Sequence, residues 1–138
     1  MWDSRKQGAA VTTKQRGDAA EDAALAHLQR HGLRLVQRNF RTPGRGGGEV
    51  DLIMREPDGT LVFVEVRQRA SSSRGGAGGS ITGIKQRRIV FAARHFLLRL
   101  GSEPPCRFDV VLLQGAQDGG EGSHIEWLRA AFDASGTF

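Results

Sequence analysis

Apolar residues recur along the chain with two different periods, and the changes of period mark the elements. Over residues 18–31 an alanine-rich stretch puts Leu25 and Leu28 on one helical face, with Asp18 placed as N-cap and Gly32 as the stop. Residues 33–41, with Leu33 and Leu35 set against Arg34 and followed by Val36 and Phe40, predict a strand that ends at Thr42-Pro43-Gly44. A second strand is expected over 48–56 and a third over 61–69. The Pro57-Asp58-Gly59 turn between them predicts an antiparallel hairpin. The helical period returns in Ile89, Ala92, Ala93, Phe96, Leu97 and Leu100, which predicts a helix over 83–100 whose apolar stripe needs a sheet to cover. Phe108, Val110, Val111, Leu112 and Leu113 then predict a strand over 107–114, central in the sheet, before a short edge strand over 124–129.

Between these elements the chain is poor in apolar groups. Residues 1–16 read as a disordered basic arm, 70–80 as a mobile Ser/Gly loop, 119–122 as a glycine-rich connection and 133–138 as a tail. The expected fold is therefore α/β, with a mixed central sheet of about five strands flanked by helices in one domain over 17–132. Its strand-helix-strand unit is right-handed if the two strands are parallel.

Composition narrows the function classes. With 138 residues, 38% hydrophobic and 25% charged, the chain suits one globular domain. It contains no apolar run long enough for a membrane helix and no signal-peptide core, so a cytoplasmic location is expected. One cysteine, Cys106, allows neither an internal disulfide nor a thiolate zinc cage. The net charge of +5, carried largely by arginine, makes nucleic acid the leading partner, although basic surfaces also meet membranes and acidic proteins.

The candidate chemistry lies in carboxylates at apolar positions. Strand alternation directs Leu61, Phe63, Glu65 and Arg67 to one face and Val62, Val64 and Val66 to the other, so Glu65 falls within an apolar run. An ionised carboxylate there needs compensation. On the preceding strand Glu49, Asp51 and Ile53 share a face opposite Val50, Leu52 and Met54, so the hairpin can bring Asp51 to Glu65. Two such carboxylates fit Mg²⁺ or Mn²⁺, the alternative being a salt bridge to Arg67 or Arg41 that needs no metal. Glu21 shares the face of Leu25 and Leu28, and its spacing from Asp18 also fits a capping box. Glu49 reads as a solvated strand start.

The strings Asn39-Phe40-Arg41, Gly48-Glu49-Val50-Asp51-Leu52-Ile53, Phe63-Val64-Glu65-Val66-Arg67 and Cys106-Arg107-Phe108-Asp109-Val110-Val111 together resemble the YraN-like uncharacterised protein family. That family is similar to archaeal Holliday junction resolvases within the PD-(D/E)xK, restriction-endonuclease-like superfamily. The likeness covers about residues 17–132. It implies a metal-dependent DNA endonuclease, acting on branched or recombination intermediates, with Asp51, Glu65 and the Val66 carbonyl as metal ligands and Glu21 as a ligand through water. It further implies a symmetric homodimer.

Arg67 departs from the pattern, which usually has lysine there. Arginine stays protonated and clamps phosphate, so cleavage is in question where binding is not, and Lys85 is a candidate for the missing ammonium. Lys85, Arg87 and Arg88 crowd the start of a helix, where the macrodipole disfavours cations. With Arg41, Arg67 and Arg74 they would form a phosphate-binding rim. Residues 44–48 lack the ending of a Walker loop and read as a flexible turn. His27, His31, His95 and His124 lack metal-ligand spacing, and Trp127 reads as edge-strand packing. A non-catalytic nucleic-acid-binding module and a protein-interaction module remain the alternatives to the nuclease.

Overall fold

A computed structural model describes residues 13–69, 81–115 and 124–134. In chain order the elements are helix α1 (Thr13–Arg30), strands β1 (Arg34–Arg41), β2 (Glu49–Arg55) and β3 (Leu61–Arg69), helix α2 (Gly83–Leu100), and strands β4 (Cys106–Gln114) and β5 (His124–Phe132). The five strands form one sheet in the order β1-β2-β3-β4-β5. Only β3 and β4 are parallel, joined across α2, and the other neighbours run antiparallel. The fold is α/β and restriction-endonuclease-like, with a helix on each face of the mixed sheet.

Alternation within the strands builds two cores. On one face Ala24 and Leu28 of α1 meet Leu52, Met54, Val62, Val64 and Val111. On the other, Ile89, Val90, Ala92, Ala93 and Phe96 of α2 meet Ile53, Leu61, Phe63, Phe108 and Val110. The α2 helix is fixed at both ends. Thr82 Oγ1 accepts the Lys85 N–H at 3.1 Å, and Gly101, at φ 80°, donates its N–H to the Leu97 carbonyl at 2.9 Å.

Several expectations need correction. Helix α1 starts at Thr13, within the stretch read as a disordered arm, so Asp18 is an interior residue paired with Lys14 at 3.0 Å and is not the N-cap. Lys14, Gln15, Gly17 and Asp18 are exposed, and an exposed turn leaves no apolar period to read. The last strand runs on to Phe132 because the Phe132 ring stacks on Phe108, centroids 5.1 Å apart. The strand over Cys106–Gln114 is fourth in order and β3 is central, but β5 covers it, so it is buried all the same. Residues 1–12, the 70–80 loop with Arg74, the 119–122 connection and residues 135–138 lie outside the described residues. Among the described residues no helix is long and apolar enough to cross a membrane.

Candidate metal and nucleic-acid site

The site forms where β2 departs from regular geometry. Val50 packs with the α2-side core, whereas Leu52 and Met54 pack on the α1 side. Residues two apart in a regular strand share a face, so the expected grouping of Val50 with Leu52 and Met54 fails at Asp51. The neighbouring strand switches face at the same level. Arg38 stands opposite Leu52 and Phe40 opposite Val50, and Asn39 between them is left-handed, at φ 52°. The β2–β3 ladder extends from Arg55↔Leu61 to Leu52↔Val64. Next to its end, the Asp51 carboxylate accepts the Val66 N–H at 2.8 Å. Asp51 thus sits in the seam between the strands.

Glu65 projects from β3 toward α2 and is only 7% exposed. Its Oε2 lies 3.5 Å from Lys85 Nζ, and its buried Oε1 has no hydrogen-bond partner. Burial, and then the negative charge of Asp51, push its carboxyl up to about 8 against the opposing pull of Lys85. Without a further cation Glu65 therefore holds a proton at neutral pH. Lys85 is shifted upward as well: burial alone would lower it, but Glu65, Glu49 and Asp51 outweigh that and keep it an ammonium.

Glu49 belongs to this cluster rather than to the solvated surface. Its oxygens lie 3.2 Å from Lys85 Nζ and 3.8 Å from Arg41 Nε. Burial works against its charge, but the Lys85 hydrogen bond and the charges of Lys85, Arg88 and Arg41 hold it below the usual carboxylate range. The expected cross-sheet salt bridge from Arg41 to Asp51 or Glu65 is thus replaced: Arg41 serves Glu49, and Lys85 serves Glu65.

The glycine run before β2 sets this spacing. Gly48 N–H donates to Thr42 Oγ1 at 2.7 Å and Thr42 N–H donates to the Gly48 carbonyl at 3.0 Å, closing the loop expected to be a flexible turn. A Cβ on Gly48 would run into the Arg88 carbonyl and come within 2.7 Å of Ala92 N, so only glycine lets β2 start this close to α2. That approach brings Lys85 over Glu49 and Glu65.

Glu21 lies on the sheet-facing side of α1, with Ala24 and Leu28, and feels the Asp51 charge. Burial and then Asp51 raise its carboxyl, while Arg38 and a side-chain hydrogen bond from Asn39 oppose them. Arg38 places one guanidinium nitrogen 3.3 Å from Glu21 and the other 2.9 Å from Asp22. With Asp18 inside the helix, the capping-box reading of Glu21 falls away. Among the described residues no three His, Cys, Asp or Glu side chains form a metal cage, so the structure gathers Asp51 and Glu65 as a pair with Glu21 set back against Arg38. The donor set is all oxygen, and one buried oxygen of the pair has no hydrogen-bond partner. That suits a hard divalent ion such as Mg²⁺ or Mn²⁺, which takes one or two carboxylates and completes its shell with water.

Arg67 follows Glu65 by two residues on β3 and is half-buried, while Arg41, Arg87 and Arg88 are exposed. No acidic residue lies in the first turn of α2, so its cations face that end of the helix uncompensated by side chains of the same turn.

Asp109 bears the same outward sign as Glu65, a carboxylate in an apolar strand, but its surroundings differ. It is fully buried and accepts from Arg107 Nε at 3.0 and 3.1 Å, Trp127 Nε1 at 2.8 Å and the Ala130 N–H at 2.9 Å. Every lone pair that matters is satisfied, so Asp109 fastens β5 to β4. Trp127, expected to pack only as an edge residue, carries part of that network and also meets His27 and His31 edge-on. Arg38, Asn39, Glu49 and Asp109 had no assigned role from sequence. Only Asp109 carried a readable signal, its apolar neighbours Phe108, Val110 and Val111.

The model of the family described as "Uncharacterised protein family UPF0102" matches residues 20–113. A UPF0102 protein of Polaromonas naphthalenivorans (strain CJ2) is 64% identical, covering 98% of this chain and all of that one. One from Albidiferax ferrireducens is 68% identical over 89% of this chain and 91% of its own length. Another from Acidovorax sp. (strain JS42) is 64% identical over 91% and 90%.

Proposed function

Since the chain belongs to the uncharacterised protein family UPF0102, its chemistry has to be read from the site, and we propose a divalent-metal-dependent, endonuclease-like phosphodiester hydrolase acting on DNA. The observation that supports this best is Glu65: buried, raised to about 8, facing Asp51, and with one oxygen lacking a hydrogen-bond partner. A buried carboxylate retained in that state suits a site that becomes complete when a cation arrives.

Asp51 and Glu65 would hold Mg²⁺ or Mn²⁺, with the Val66 carbonyl as third ligand and Glu21 acting through water. Such an ion supplies charge that polarises a phosphate and acidifies a water molecule. The Lys85 ammonium, 3.5 Å from Glu65, can donate to a phosphate oxygen or orient the attacking water. Its raised basicity makes it a donor and not a base. Lys85 thereby supplies from α2 the ammonium that Arg67 does not supply from β3. Arg67 clamps phosphate with its planar fork, and Arg41, Arg87 and Arg88 extend the contact along the backbone. The resemblance to junction resolvases adds a preference for branched DNA and a homodimer to the proposal.

The test is to incubate wild type and Asp51→Ala with labelled single-stranded, duplex, flap and four-way DNA in Mg²⁺ or Mn²⁺, scoring cleavage and binding together. Cleavage by wild type alone is expected. Binding without cleavage on every substrate would make the protein a non-catalytic nucleic-acid module, and no binding at low salt would leave protein interaction as the role.

A further inference from the structure

Arg38 ties β1 to the acidic face of α1 by ion pairs, beside a side-chain hydrogen bond from Asn39 to Glu21, and it can do so only because β1 changes face. In a regular strand Arg38 would share a face with Phe40, which packs in the α2-side core. The left-handed backbone of Asn39 breaks that alternation and leaves Arg38 on the α1 side. A non-glycine residue at positive φ is uncommon, and asparagine tolerates it better than most. Such strain persists where the surrounding structure holds the residue in place. Asn39 lies at the level of Asp51, between the pairs Arg38↔Leu52 and Phe40↔Val50.

The grip of Arg38 is two-pointed, with Glu21 at 3.3 Å and Asp22 at 2.9 Å. Holding adjacent residues of one helix fixes the rotation of α1 as well as its position, which a single contact cannot do. The guanidinium adopts this pose although its buried Nε is left without a partner, so the two carboxylates decide where it lies.

We propose that Arg38, presented by the left-handed turn at Asn39, is the positioning residue that fixes Glu21 beside Asp51, so that Glu21 takes part in ion binding through water. The inference rests on reading Asp51 and Glu65 as the ion-binding pair. Asp22 contributes only as the second anchor of the guanidinium.

Mn²⁺ titration calorimetry on the full chain tests this with wild type, Glu21→Gln, Arg38→Met and the double variant, with a Tm for each. Each single substitution is expected to weaken Mn²⁺ binding about tenfold, the usual loss when the support of a metal ligand is removed. The double variant should bind no more weakly than Glu21→Gln alone, because the two residues act as one unit. Should Arg38→Met fail to fold, Arg38→Gln, which keeps polarity without charge, is expected to show the same loss. Wild-type affinity in the Arg38 variants beside a weakened Glu21→Gln, or losses that multiply in the double variant, would overturn the proposal, as would a lowered Tm with unchanged Mn²⁺ binding. If Asp51→Ala also binds Mn²⁺ as wild type does, the ion-binding reading itself has failed, and the inference goes with it.

Discussion

The Asp51 carboxylate accepts the Val66 N–H at 2.8 Å and at the same time presses its charge on Glu65. One side chain therefore both closes the seam beside the β2–β3 ladder and sets the electrostatics of the site. Asp51→Asn keeps an oxygen for the Val66 N–H and should be as stable as wild type. Asp51→Ala leaves that N–H without its partner and should lose roughly 1–2 kcal/mol in urea denaturation. Both variants are expected to lose Mn²⁺ binding in calorimetry, which separates the structural share of Asp51 from the chemical one.

Glu65 should impose a pH dependence on the metal-free protein. Its carboxyl stands at about 8 in the folded state against an ordinary 4.5, so between those values the folded chain holds a proton that the unfolded chain has released. Stability is then fully present below about pH 4.5 and falls as pH rises toward 8, by at most about 1.4 kcal/mol per pH unit. Glu65→Gln cannot lose this proton. Its thermal midpoint relative to wild type should climb across the window and level off above it; a parallel course for the two proteins would show that Glu65 does not titrate there.

Asp109→Ala should behave in the opposite sense. Removing a fully buried carboxylate leaves the Trp127 indole N–H and the Ala130 N–H without their acceptor and takes one of two carboxylate partners from Arg107, which keeps Glu56 at 2.7 Å. The expected loss is about 2–4 kcal/mol, the cost of leaving two buried N–H donors unsatisfied. Hydrogen exchange should place the increased opening in β5.

DNA affinity should fall steeply with salt if the arginine rim meets phosphates. Arg41→Ala and Arg88→Ala are each expected to reduce the slope of log K against log salt by about one, with similar effect on duplex and branched DNA. An unchanged slope in both would remove these two residues from the interface.

Most of the fold could be read from periodicity because nearly every element packs one face on the sheet. The bounds of α2 and β3 follow directly from the rows that begin at Ile89 and Leu61. The start of α1 could not be read, since Lys14, Gln15 and Asp18 are exposed and a helical turn held by an i,i+4 pair leaves no apolar pattern. Within the site, Glu65 and Asp109 looked alike in sequence, and only their partners tell them apart. The face switch at Asn39 and Asp51 had no precursor in the alternation of Val50, Leu52 and Met54, because it depends on a left-handed residue in one strand and a side chain that bonds to another. Glu49 was misread for a related reason: its partners Arg41 and Lys85 arrive from β1 and α2, and spacing within β2 says nothing about them.

The two outer strands of the sheet are both irregular. β1 shifts register between Leu35 and Gln37 and turns left-handed at Asn39, while the β4–β5 pairing shifts between Phe108 and Val110 and Ala130 has φ 49°. An edge that kinks and carries Arg34, Arg38 and Arg41, or Arg129, is a poor template for another chain's strand. The irregularity that builds the site on β1 thus also makes that edge a poor place for a five-stranded sheet to grow by edge-to-edge pairing.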